Sequence, residues 1–226
     1  MPTDTIDRVE AGVLVQPGPR GAPLLVAFGG VAAGLGIPPF EFMRLTGELP
    51  VGRVFLRDLR QAWFQKGIAD VGPRPADIAA RLQALIDDLE PSRVVFTGNS
   101  AGAYAALLFG TMLRPDEVHA FAPQTFISWP KRLAHRDLRW TREQIRMRVG
   151  GLERRYLDLV PVLTSHDGTA AMHVYYATSD RLDALHARRL SRTGVQLHGF
   201  EAGGHGLVRA LRDSGDLQRI IRAAVA

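Results

Sequence analysis

Cysteine is absent from these 226 residues, which excludes disulfides, thiolate metal sites and cysteine nucleophiles together. Lysine is nearly absent: of 28 basic residues only Lys66 and Lys131 are lysines, and the rest are arginine. No apolar run approaches the roughly 18 residues that a membrane span needs. The opening MPTDTIDRVE lacks the basic and apolar regions of a signal peptide, so the expectation is a cytoplasmic protein. Metal-ligand patterns such as H-E-x-x-H are missing, the histidines stand apart along the chain, and there is no Walker A loop. No metal and no cofactor is expected.

The composition that remains is that of an ordinary globular chain, 46% hydrophobic and 23% charged, long enough to bury a core without staples. A formal net charge of +5 raises the question of nucleic acid. The arginines are scattered among acidic residues, however, except in KRLAHRDLRWTREQIRMRVGGLERR (131–155). A solvated helical face is the simpler reading of that run, and a surface for an anionic ligand or partner the sharper one. Nucleic acid is not expected as a partner.

Short β-like runs alternate with helical periods. The runs are VLVQ (13–16), PLLVAF (23–28), RVFLRD (53–58), RVVFTG (93–98), VHAFAP (118–123), MHVYYAT (172–178) and VQLHGF (195–200). Several are continuously apolar, as buried parallel strands are. Between them, PADIAARLQALIDDLEP places apolar residues at 78, 82, 85, 86 and 89, a helical spacing stopped by Pro91. The pattern predicts a single α/β domain over 1–226, with a mostly parallel central sheet flanked by helices. Residues 127–170 interrupt the alternation and predict a small helical lid insertion, or else a long crossover with a peripheral helix.

One stretch asks for chemistry. TGNSAG (97–102) puts Ser100 between two glycines where a predicted strand gives way to a predicted helix. This is the context of a nucleophile elbow, G-x-S-x-G: the turn is strained, the glycines remove side chains that would clash, and the amide of Ala101 points where an oxyanion would form. Serine is inert at neutral pH without a base. His205, in the glycine-flanked turn EAGGHGLVRAL after the last strand, is the histidine placed at the same sheet edge. Past MHVYYAT, the segment SDRLDALHARRL offers Asp180 and Asp183 as the acid that orients the imidazole. Position just after the strand favours Asp180, and either residue is equally suited to cap a helix. A second oxyanion donor is expected from the FGG loop, as the amide of Gly30 or Val31.

Taken together, FGG (28–30), GNSAG (98–102), a post-strand aspartate and GGHG (203–206) resemble the α/β-hydrolase superfamily over nearly the whole chain. RDLRQAWFQKG (57–67), VHAFAPQTF (118–126) and LDALHARRL (182–190) further resemble a bacterial branch associated with polysaccharide enzymes. That resemblance shifts the acid toward Asp183. It also implies that Arg57, Asp58 and Trp63 lie near the pocket or brace its floor, with Asn99 and Trp129 as further pocket candidates. The implied activity is a serine hydrolase acting on a small acyl ester or thioester; the arginines of the 127–170 insertion leave open a carbohydrate-linked or anionic substrate. Acyl transfer by the same residues and a catalytically silent binding domain are the alternatives.

Overall fold

Each of the seven apolar runs forms a strand, within two residues of its predicted ends, in the computed structural model, which describes residues 12–31, 42–149, 151–165 and 170–226. The chain proceeds through β1 (Val13–Gln16), β2 (Leu24–Phe28), α1 (Met43–Thr46), β3 (Gly52–Leu56), α2 (Pro75–Leu89) and β4 (Val94–Asn99). It continues through α3 (Ala101–Leu113), β5 (Glu117–Phe121), α4 (Trp129–His135), α5 (Thr141–Arg148) and α6 (Leu159–Thr164). Last come β6 (Ala171–Ala177), α7 (Arg181–Arg188), β7 (Gln196–Phe200), α8 (Leu207–Asp213) and α9 (Asp216–Ala224).

The strands join in one sheet of order β1-β3-β2-β4-β5-β6-β7. Only β1 runs antiparallel; the other five pairings are parallel. Burial on both faces explains the unbroken apolar runs: every residue of β2 is buried. α3 is apolar all round and is buried from Ala101 to Gly110, as a helix enclosed by other elements must be. α2 buries only one stripe, including Ile78, Leu82 and Leu85. On the opposite face of the sheet, Leu207 and Leu211 of α8 and Leu217 and Ile221 of α9 pack over Phe55, Phe121 and Tyr175.

Topology positions the site. β2 leads out to β3 on one side, and β4 leads to β5 on the other, so the strand order reverses between β2 and β4. Such a switch point opens a crevice at the carboxyl ends of the strands. In the register, Phe28 pairs with Gly98 and Asn99 with Phe121, so the turns after β2, β4 and β5 sit side by side.

The segment between β5 and β6 is helical and rooted in the core. Leu159 and Leu163 of α6 are buried, and the Tyr104 hydroxyl of α3 donates to the Tyr156 carbonyl. The basic run 131–155 is not a uniformly solvated face, because Arg132 and Asp137 are fully buried within it. Leu133, Leu138, Ile145 and Val149 of the same segment are exposed. No helix of the described residues is long and apolar enough to cross a membrane.

Candidate active site

At the end of β4 the backbone turns through Ser100 with φ 54° and ψ −113°, a conformation costing about 1–3 kcal/mol for a residue with a side chain. The turn is held by close packing of backbone on backbone. A Cβ on Gly98 would lie 2.2 Å from the Gly102 carbonyl oxygen, and one on Gly102 would lie 2.0 Å from that of Phe28. Both positions therefore require glycine. The Ser100 amide donates to the Phe121 carbonyl at 2.9 Å, which ties the turn to β5. Ala101 opens α3, so its N–H is among the first-turn donors that no carbonyl of the helix can reach.

Ser100 Oγ lies 3.1 Å from Nε2 of His205. His205 stands in a single 3-10 turn, Gly204–Gly206, between β7 and α8. Gly203 before it adopts φ 101°, and Gly204 φ 51°, the left-handed region that glycine enters without strain. On the other side of the ring, Nδ1 donates to Asp183 Oδ1 at 2.8 Å. A carboxylate only accepts, so Nδ1 carries the proton and Nε2 is left to accept from the serine hydroxyl. Asp183 is 1% exposed and lies in the first turn of α7. Burial works against its ionised form, but the hydrogen bond and charge of His205, and then those of Arg139, outweigh it and hold its pKa below the ordinary aspartate value.

Asp180, the other candidate acid, is the N-cap of α7. Its Oδ1 accepts from the amides of Leu182 and Asp183, both at 2.9 Å. It is thus Asp183, not Asp180, that the fold brings to His205.

The other sequence candidates separate by location. Gly29 donates to Leu56 at 2.9 Å and leads into Gly30 and Val31, both half-buried beside the elbow; residues 32–41 of that loop lie outside the described residues. Arg57 runs alongside, since a Cβ on Gly29 would stand 3.9 Å from its Cγ. Asp58 accepts from the amides of Arg60, Ala62 and Phe64 and so organises its own loop. Burial raises its pKa against those three bonds. Trp63 is fully buried with its indole N–H donating to Gln124 at 2.9 Å, which is the role of an internal brace. Asn99 ends β4 next to Ser100. Trp129 opens α4 with the Arg148 guanidinium 5.3 Å over its ring.

Three residues not singled out from the sequence complete the site. Arg139, between α4 and α5, donates to Asp183 Oδ1 at 2.7 Å, and the same Nη1 stands 3.2 Å from His205 Nδ1. Its Nε and Nη2 grip Asp137 in a fork, at 3.0 and 3.1 Å. Asp137 is fully buried and meets His186 Nε2 at 2.9 Å, while His186 Nδ1 accepts from the Thr125 amide at 2.9 Å. The only trace of this in the sequence is the acid-x-Arg spacing of RDLR, inside a run that reads as surface.

The histidines that look isolated along the chain also converge elsewhere. Glu117, His119 and His173 offer ligand atoms within 4.8 Å of one another. Those atoms are already engaged: His119 Nε2 donates to Glu117 Oε2 at 2.7 Å, Tyr175 donates to His119 Nδ1 at 3.0 Å, and His173 Nδ1 meets His198 Nε2 at 3.1 Å. The His119 and His173 rings stack at 15°, with centroids 4.9 Å apart.

Sheet order, elbow and helix placement define the α/β-hydrolase fold, and comparison with solved structures agrees. A mutant of the capsule O-acetyltransferase of Neisseria meningitidis serogroup A, in complex with CoA, superposes with a TM-score of 0.67 at 11% identity, over 95% of this chain and 91% of that one. A metagenomic α/β hydrolase from lagoon sediments of Mar Chica, Morocco, superposes at 0.60 with 13% identity, over 93% and 92%. A brefeldin A esterase, described as a bacterial homologue of human hormone-sensitive lipase, gives 0.60 at 20% identity, over 94% and 71%. No protein-family model matches the chain, and no curated protein does.

Proposed function

We propose that this chain is a serine hydrolase that cleaves an ester or thioester through an acyl-enzyme. The observation that supports it most is the strained Ser100, aligned through His205 to a buried Asp183. In this reading the Ser100 Oγ attacks the acyl carbon while its proton passes to His205 Nε2. The carbonyl oxygen becomes an oxyanion facing the amides of Ala101 and of Gly30 or Val31. The bond to the leaving oxygen or sulfur then breaks as His205 returns the proton to it. Water, losing its proton to His205, releases the acid and frees Ser100. Asp183 keeps the imidazole in the tautomer that accepts from serine. In this reading the helical segment between β5 and β6 serves as the lid.

Acyl transfer to an alcohol is the second reading, favoured by the fold shared with a capsule O-acetyltransferase. A fluorophosphonate probe tests the common step: wild type is labelled and Ser100→Ala is not. Undiminished labelling of Ser100→Ala overturns the assignment. Added alcohols acting on a p-nitrophenyl ester reaction separate the two readings, since a transferase diverts the acyl group from water saturably at low alcohol concentration, whereas a hydrolase diverts it only in proportion to the alcohol added.

A further inference from the structure

Asp183 has an uneven set of partners. His205 and Arg139 both donate to Oδ1, whereas Oδ2 is buried without a hydrogen bond among the described residues. The guanidinium that shares this oxygen is rigidly held. Two of its nitrogens are forked onto Asp137, the Arg139 amide donates to Asp137 Oδ1 at 3.1 Å, and Arg132 donates to the Arg139 carbonyl at 2.5 Å. Asp137 is anchored in turn. His186 accepts the Thr125 amide on Nδ1, so its proton sits on Nε2 and points at the Asp137 carboxylate. Buried His186 is disfavoured as a cation and adds no charge.

Charges around His205 can therefore be summed. The groups facing it are Ser100 from the β4–α3 turn, Asp183 from α7 and Arg139 from the α4–α5 connection; Asp137, Arg132 and neutral His186 stand behind Arg139. Arg139 is shared by two carboxylates, and Arg132, which donates to the Arg139 carbonyl, is a second cation further from His205. Arg139 N–H and protonated His205 Nδ1 are both donors 3.2 Å apart, so they repel while competing for one oxygen.

Resting on the serine-hydrolase reading above, we propose that Arg139 is a positioning residue. Forked onto Asp137, it fixes the Asp183 carboxylate under His205 and limits how strongly that carboxylate favours the imidazolium. Asp137 acts in the opposite sense, by taking up part of the Arg139 charge.

The test is the pH dependence of fluorophosphonate labelling of Ser100. Arg139→Gln removes the cation and leaves two carboxylates, so the acid limb should move to higher pH by about one unit, the scale for a charge at this range. Asp137→Asn leaves Arg139 acting on Asp183 alone, so the limb should move to lower pH. Arg139→Lys keeps the charge and should restore most of the wild-type limb. A scaffolding role would lower labelling or stability without moving the limb. Should Arg139→Gln fail to fold, Asp137→Asn and Arg139→Lys carry the same contrast. Limbs that coincide with wild type in all folded variants overturn the proposal alone. A wild type that is not labelled at Ser100 overturns the reading beneath it.

Discussion

Two arrays of the same four chemical groups lie on one sheet. At its carboxyl edge, Arg139, Asp183, His205 and Ser100 form the sequence arginine, acid, imidazole, hydroxyl. On the face covered by α8 and α9, Arg93, Glu117, His119 and Tyr175 form it again. In both, the acid accepts from a ring N–H, and the other ring nitrogen accepts from a hydroxyl. The arrays differ in what surrounds them. Tyr175 sits in a regular strand, stacked between Phe121 and His198 at 4.7 Å each, and burial pushes its phenol up to about 12. Ser100 sits on a strained turn before a helix N-terminus, in a crevice made by the strand order. The clamps differ as well. Arg93 and His119 hold opposite oxygens of Glu117, whereas Arg139 and His205 share one oxygen of Asp183. On the serine-hydrolase reading, backbone strain, access and an adjacent row of amides set the Ser100 array apart from the Tyr175 one.

Cutting the same link in each array gives the largest contrast. Asp183→Asn removes the orienting carboxylate and should lower turnover of a p-nitrophenyl ester by about 10⁴-fold, with the fold retained. Tyr175→Phe should leave labelling of Ser100 unchanged. It should cost about 1–3 kcal/mol in denaturant unfolding, because His119 Nδ1 loses its donor inside the sheet. Loss of labelling in Tyr175→Phe, or full turnover in Asp183→Asn, would erase the distinction drawn between the arrays.

The Tyr175 array has its own signature in pH. Burial, the leading cause, lowers the His119 pKa to about 4, although Glu117 works the other way. The unfolded chain takes up a proton near the ordinary value of 6.5 while the folded chain stays neutral. By linkage, this contribution is fully present above about pH 6.5 and is lost as the pH falls from there toward 4. His119→Gln keeps a donor toward Glu117 and has no such proton to bind. Its unfolding midpoint should therefore fall less steeply over that window, and parallel slopes for the two proteins would show that His119 is not the group responsible.

Legibility followed the range of the interactions. The strands and the elbow could be read because local features carry them: unbroken apolar runs, and glycines at two positions where a Cβ would strike backbone. His205 was legible for a similar reason, lying in a glycine-flanked turn. Asp180 and Asp183 could not be separated, since both fall at the start of one helix. Which of them reaches His205 depends on the facing of that helix against a loop 22 residues further on. Arg139 left only the acid-x-Arg spacing of RDLR as a trace. Beyond Asp137, its partners Asp183 and His205 lie 44 and 66 residues along the chain, and tertiary burial turns a run that reads as surface into part of the site. The histidine array, drawn from three strands, was hidden for the same reason.

Asp180 offers the smallest effect and the finest discrimination. Three residues from Asp183, it has the same side chain and lies at the same strand end, yet its Oδ1 is engaged by two backbone amides of α7. If its role is that of a cap, Asp180→Ala should cost about 1 kcal/mol of stability. The helix start would then fray without moving Asp183 from His205, so ester turnover should stay near wild type. Asp180→Asn, which keeps a capping oxygen, should recover most of that stability. A turnover loss in Asp180→Ala comparable to that of Asp183→Asn would mean that the cap itself aims Asp183 at the imidazole. The Ser100 array would then extend one residue further than its hydrogen bonds indicate.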